Sequence, residues 1–101
     1  MSKEYVLDCN EMYERGIAHE YIAKTLGFPD YYGKNLDALF DCLTEMGESS
    51  ILFINLSSLE ELGEYSGALI AVFEEAESVN DDLTLVYVDE DDDYDEEFGD
   101  Y

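Results

Sequence analysis

Apolar positions along the chain alternate between strand-like and helix-like spacing. Tyr5-Val6-Leu7 is a short β-prone run ending at the turn signal Asp8-Cys9-Asn10, which predicts a strand. From Asn10 to Leu26 the apolar residues Met12, Tyr13, Ile17, Tyr21, Ile22 and Leu26 suit helical spacing, with a break near Gly16. A helix is therefore expected over residues 17–26, stopped by Gly27 and then Pro29. A second helix is predicted over 35–45, with Asn35 as its N-cap and Asp37 in the first turn, where negative charge meets the positive end of the dipole. Ile51-Leu52-Phe53-Ile54 is too short an apolar run for a helix and reads as a strand buried on both faces. Leu59, Leu62, Leu69, Ile70, Val72, Phe73 and Ala76 mark at least one further helix, most securely 66–77, and residues 83–88 read as another buried strand. Strands alternating with helices predict an α/β fold: a small three-stranded parallel sheet packed with three to four helices in a single layered domain. The pattern leaves the order of the strands open.

Residues 29–45 are the most informative stretch. A turn signal from Pro29 to Gly33 carries the adjacent Tyr31 and Tyr32 and opens onto the second predicted helix. At about 100° per residue, Leu36, Leu39, Phe40 and Leu43 share one apolar arc, and Leu36, Leu39 and Leu43 are expected in the core. Asp37, Asp41 and Thr44 fall in another arc only about 40–60° wide. Two carboxylates one turn apart, beside a hydroxyl and aromatic side chains, make an anionic surface suited to a cationic, phosphate-binding site on another molecule.

Length and composition narrow the picture. The 101 residues suffice for one small domain, and a hydrophobic fraction of 47% supports a real core. Four basic residues face 27 acidic ones, for a net charge of −23, and no basic side chain follows Lys34. Nine of the acids lie in residues 89–101; without them 18 acids face four bases, so residues 1–88 alone carry −14. The expected division is a domain over 1–88 and an acidic, solvated, disordered tail over 89–101. Such a field repels nucleic acid and anionic lipid and speeds encounter with a basic partner. Acidity alone fits solubility or high-salt adaptation equally well.

Signal-like and membrane-spanning apolar runs are not found, and Cys9 and Cys42 lack metal-ligand spacing, so the expected setting is cytoplasmic with free thiols. Asp89, Asp91 and Asp93 have EF-hand-like spacing, but Tyr94 stands where the loop requires glycine, which excludes that calcium site. His19 is the only histidine; it reads as a surface or helix residue remote from the acidic face, without the partner that a catalytic triad needs. No phosphate-binding loop is present. An enzyme, a cofactor and a metal are therefore not expected.

The segment from Phe28 to Thr44 resembles the motif of the barstar family, intracellular protein inhibitors of bacterial ribonuclease. The resemblance rests on Pro29, Tyr31-Tyr32-Gly33, Asn35-Leu36-Asp37-Ala38-Leu39 and Asp41-Cys42-Leu43-Thr44, with a weaker match at Val72-Phe73-Glu74-Glu75-Ala76. Phe40 keeps a ring where the family commonly has tryptophan. The resemblance implies a three-stranded parallel sheet with helices packed against it, and a loop and second helix that plug the nuclease active site. By position it implies partner-binding roles for Tyr31, Gly33, Asn35, Asp37, Phe40, Asp41, Thr44 and Glu75. The expected partner is a basic ribonuclease or nuclease-like toxin bound one-to-one, by a chain that is monomeric when free. The alternative is an acidic nucleic-acid mimic, or a generic module that binds basic proteins by diffuse electrostatics.

Overall fold

The computed structural model describes residues 3–88. Strands β1 (Lys3–Asp8), β2 (Ser49–Ile54) and β3 (Leu83–Tyr87) form one parallel sheet in the order β1-β2-β3. Helices α1 (Arg15–Leu26), α2 (Leu36–Thr44) and α3 (Glu64–Val79) connect them, with short 3-10 segments at Cys9–Glu11 and Leu56–Leu62. The α/β architecture read from the sequence is the one observed. Helix α1 starts earlier than expected and takes Gly16 into its first turn. The acidic segment 89–101, with its EF-hand-like spacing, lies outside the described residues.

The core sits between the helices and one face of the sheet. Leu7, Ile51, Phe53 and Leu83 are buried on that face, and the helices add Ile22, Leu39, Leu43, Leu69 and Phe73. Phe53 lies under the layer, with its ring edge-on to Phe73 at 5.0 Å and stacked with Tyr87 at 5.3 Å.

The other face corrects the expectation that residues 51–54 and 83–88 are buried on both sides. Val6, Leu52 and Val86 stand in one register row across the three strands and do not pack against the core; Val6 and Val86 are 47% and 40% exposed. A continuous apolar run records that both faces are apolar. Whether both are covered depends on where the helices go, and all three give their buried residues to the same side.

Both sheet edges carry a side chain from a helix. The backbone N–H of Asp8 on β1 donates to the Tyr21 hydroxyl at 2.9 Å, and that of Leu85 on β3 donates to Glu77 Oε2 at 2.9 Å. Each contact withdraws one edge group from pairing with a further strand.

Candidate functional site

Helix α2 is fixed at both ends and along its buried side. Asn35 has extended backbone geometry, and its Oδ1 accepts from the Ala38 N–H at 2.8 Å, an N-cap as predicted. Leu39 and Leu43 are fully buried, while Leu36 and Phe40 are half-buried against the same core. At the far end, buried Asn80 donates from Nδ2 to the Leu43 and Met46 carbonyls at 3.0 and 3.1 Å, and its Oδ1 accepts from the Asp82 N–H at 3.0 Å. These bonds satisfy carbonyls left over where the helix ends and tie α2 to the turn between α3 and β3.

Asp37, Asp41 and Glu45 stand one turn apart on the solvent side of α2, all exposed. The Asp37 and Asp41 carboxylates have no hydrogen-bond or ion-pair partner among the described residues. Thr44 is half-buried; its Oγ1 donates to the Asp41 carbonyl at 2.9 Å, which leaves the oxygen able to accept from a cation.

The preceding loop divides its two tyrosines between different tasks. Tyr31 is 87% exposed, while Tyr32 is buried. The Tyr32 ring lies 5.1 Å from that of Phe28, and its hydroxyl is 2.6 Å from His19 Nδ1. His19 Nε2 is 2.6 Å from the Tyr65 hydroxyl, and the Arg15 guanidinium sits 4.4 Å over the Tyr65 ring. His19 lies on a helix, as expected, but it is a buried bridge joining α1, the tyrosine loop and the first turn of α3, neither at the surface nor remote from the loop that precedes the acidic helix. A single histidine carries no periodic signal of burial, and its two hydroxyl partners lie 13 and 46 residues away in sequence. Burial holds the imidazole below its ordinary 6.5 and raises the Tyr32 phenol above its ordinary range.

Further contacts complete the loop. Lys34 adopts a left-handed backbone with φ of 57°, and its Nζ meets Glu20 Oε2 at 3.0 Å. Asn35 Nδ2 donates to the Gly33 carbonyl at 3.3 Å. A Cβ on Gly33 would come within 3.2 Å of that Asn35 amide and 3.4 Å of Ala38 Cβ, so a larger residue there requires the Asn35 side chain to give by a few tenths of an ångström.

Between loop and helix runs an open groove of about 430 Å³, lined by Phe28, Tyr31, Gly33, Asp41, Cys42 and Met46 among others. Its lining combines apolar side chains with the carboxylates of Asp41 and Glu45. Burial raises the Cys42 thiol pKa, with a further contribution from Glu45 and Asp41. Tyr31, Gly33 and Asp41 therefore share one surface, while Asn35 and Asp37 line the adjoining recess with Arg15, Lys34 and Tyr65. Phe40 lines neither, and Glu75 lies on the exposed side of α3 with its carboxylate unpaired among the described residues. The positioning residues His19, Tyr65 and Asn80 were not legible in the sequence.

Among the described residues, no group of three or more His, Cys, Asp or Glu side chains could hold a metal ion, and no helix is long and apolar enough to cross a membrane. Two kinds of comparison with known proteins agree. The family model described as Barstar (barnase inhibitor) matches residues 2–90. The Bacillus subtilis (strain 168) protein named "Putative ribonuclease inhibitor YrdF" is 32% identical over 89 residues, covering 83% of this chain and 97% of that protein. With a family match over the whole described fold, and the parallel sheet, tyrosine loop and acidic helix in place, the chain belongs to the barstar family.

Proposed function

We propose that this chain inhibits a basic ribonuclease, or a related basic toxin, by covering its active site with the tyrosine loop and the acidic side of α2. The observation that carries the reading is the pair Asp37 and Asp41. They are exposed, lack an ion-pair partner among the described residues, and stand on a helix fixed by Asn35, Asn80, Leu39 and Leu43 beside the exposed Tyr31 ring. A ribonuclease gathers cationic side chains around the scissile phosphate. A carboxylate can offer such a cluster two acceptor oxygens in a phosphate-like arrangement. Asp41 takes that role, and Asp37 meets a second cation. Tyr31 stacks on a ring or guanidinium, and Thr44 accepts one hydrogen bond. Gly33 and Asn35 shape the turn, while Phe40 and Glu75 extend the contact beyond the groove. The name carried by the Bacillus subtilis relative supports the same class of target.

The inhibitory unit is residues 1–88, and it binds one-to-one as a monomer. Both cysteines are free thiols, in keeping with action inside the cell. The test is a titration of barnase and a panel of small basic ribonucleases with the purified chain. Complete inhibition at an equimolar ratio, relieved by excess RNA, is expected for at least one enzyme. Inhibition that needs a large excess and disappears in moderate salt would instead indicate diffuse binding by an acidic module.

A further inference from the structure

Beside Asn35 and Asp37 lies an open recess of about 400 Å³, lined also by Arg15, His19, Lys34 and Tyr65. Its lining holds two bases and one acid, in a chain that has 4 bases and 27 acids overall. The first turns of α1, α2 and α3 meet there through Arg15, Leu36 and Tyr65, and their dipoles reinforce the positive sign.

Arg15 stands at an unfavourable place for a cation. It is the first residue of α1, where the helix dipole opposes positive charge. Among the described residues, neither Asp37 nor any other carboxylate lies within ion-pairing distance of it. Lys34, by contrast, is already paired with Glu20 at 3.0 Å. The Arg15 guanidinium is nonetheless held in position: it sits 4.4 Å over the Tyr65 ring, whose hydroxyl is 2.6 Å from the buried His19. None of its side-chain N–H donors has a partner among the described residues. A fixed guanidinium with its fork of donors unused matches the geometry of a carboxylate.

The net charge narrows the source of that carboxylate. A body of −23 repels free anions and nucleic acid, so the group arrives on a molecule that is basic overall. Asn35 and Asp37 belong both to the recess and to the proposed contact surface. An enzyme seated on α2 therefore brings the edge of its own cleft over Arg15.

We propose that Arg15 receives an Asp or Glu side chain from the rim of the ribonuclease's active-site cleft. The pairing rests on the inhibitor reading and adds selection to it. Basic ribonucleases share the cations that Asp37 and Asp41 meet, whereas a carboxylate opposite Arg15 distinguishes one enzyme from another and fixes the register of docking.

The test compares Arg15→Gln with Lys24→Gln in surface binding kinetics, against barnase and each panel ribonuclease that the parent chain inhibits one-to-one. Either substitution takes the net charge from −23 to −24, and Lys24 stands in the last turn of α1, outside the recess. Long-range attraction to a basic enzyme tightens both complexes or leaves them unchanged. A local pair gives the opposite sign for Arg15→Gln alone: dissociation faster by about tenfold, from the loss of a hydrogen bond between charged groups. Arg15→Lys should fall between. Neutralising the enzyme's carboxylates one at a time should find one whose loss makes Arg15→Gln silent, a coupling that a purely structural role for Arg15 would not produce. Equal behaviour of the two glutamine variants, or coupling to no carboxylate, would overturn the proposal and leave the inhibitor reading standing. Failure of the parent chain to inhibit any of the enzymes would remove both.

Discussion

Asp41 and His19 show how much depends on the surroundings of a single side chain. Asp41 is hydrated and exposed in the free protein, so its removal leaves the fold intact. Stability should even rise by a few tenths of a kcal/mol, because Asp37 and Asp41 repel at i, i+4. In the proposed complex the same change leaves the partner's cations buried and unpaired, which costs about 3–5 kcal/mol. Asp41→Ala should therefore weaken inhibition of the target ribonuclease by at least two orders of magnitude while its thermal midpoint rises by about 1–2 °C, measured by titration and calorimetry. His19 behaves in the opposite way. Its folded-state pKa is depressed by burial, so the fold prefers the neutral imidazole. That contribution is fully present above the unfolded value of 6.5 and is lost as pH falls through the folded value. Denaturant unfolding between about pH 8 and pH 5 should show stability falling toward acid. The slope should be much smaller in His19→Gln, because the chain has no other histidine.

At the level of elements, α2 presents its carboxylates reliably because distant residues hold its ends. Asn80 accepts one backbone bond and donates two, so Asn80→Ala leaves carbonyls at the end of α2 without a partner. The expected cost is about 1–3 kcal/mol in unfolding free energy, with weaker binding although Asn80 is buried away from the proposed interface. Glu77 makes a different kind of contact, from α3 to the free edge of β3. Glu77→Ala should lower stability by about 1.5–3 kcal/mol, the range for a hydrogen bond to a charged group. It should also increase concentration-dependent association, read by sedimentation, because an edge N–H is released. Position 77 looks like one more acid in an acidic helix, and only the register of α3 over β3 gives it this task.

For the molecule as a whole, charge governs the rate of encounter while the local surface governs persistence. The net −23 is spread over domain and tail alike, so association with a basic ribonuclease should slow steeply as salt rises toward physiological strength. Replacing the nine acids of residues 89–101 by their amides should reduce the association rate and its salt dependence. The dissociation rate should hardly change, as measured by surface binding kinetics, because no residue of α2 or its loop is altered.

Local chemistry in the sequence determined a good deal of this protein. The alternation of apolar runs gave three strands separated by helices. Asn35 ahead of an apolar–acidic repeat gave α2 and its cap, and the spacing of Asp37 and Asp41 placed both on one side of that helix. Each of these depends on neighbours within a few residues, which a linear pattern records directly. Tertiary structure decided which of two adjacent tyrosines faces water, since Tyr32 is drawn inward by His19 and Phe28 while Tyr31 is left outside. It decided that His19 is a bridge and Asn80 an anchor, because their partners come from other elements. It also decided that, among the described residues, the apolar runs of β2 and β3 have cover on only one face. Residue composition is the same on a covered and an open apolar face, and the side on which the helices pack is set by the whole chain folding together.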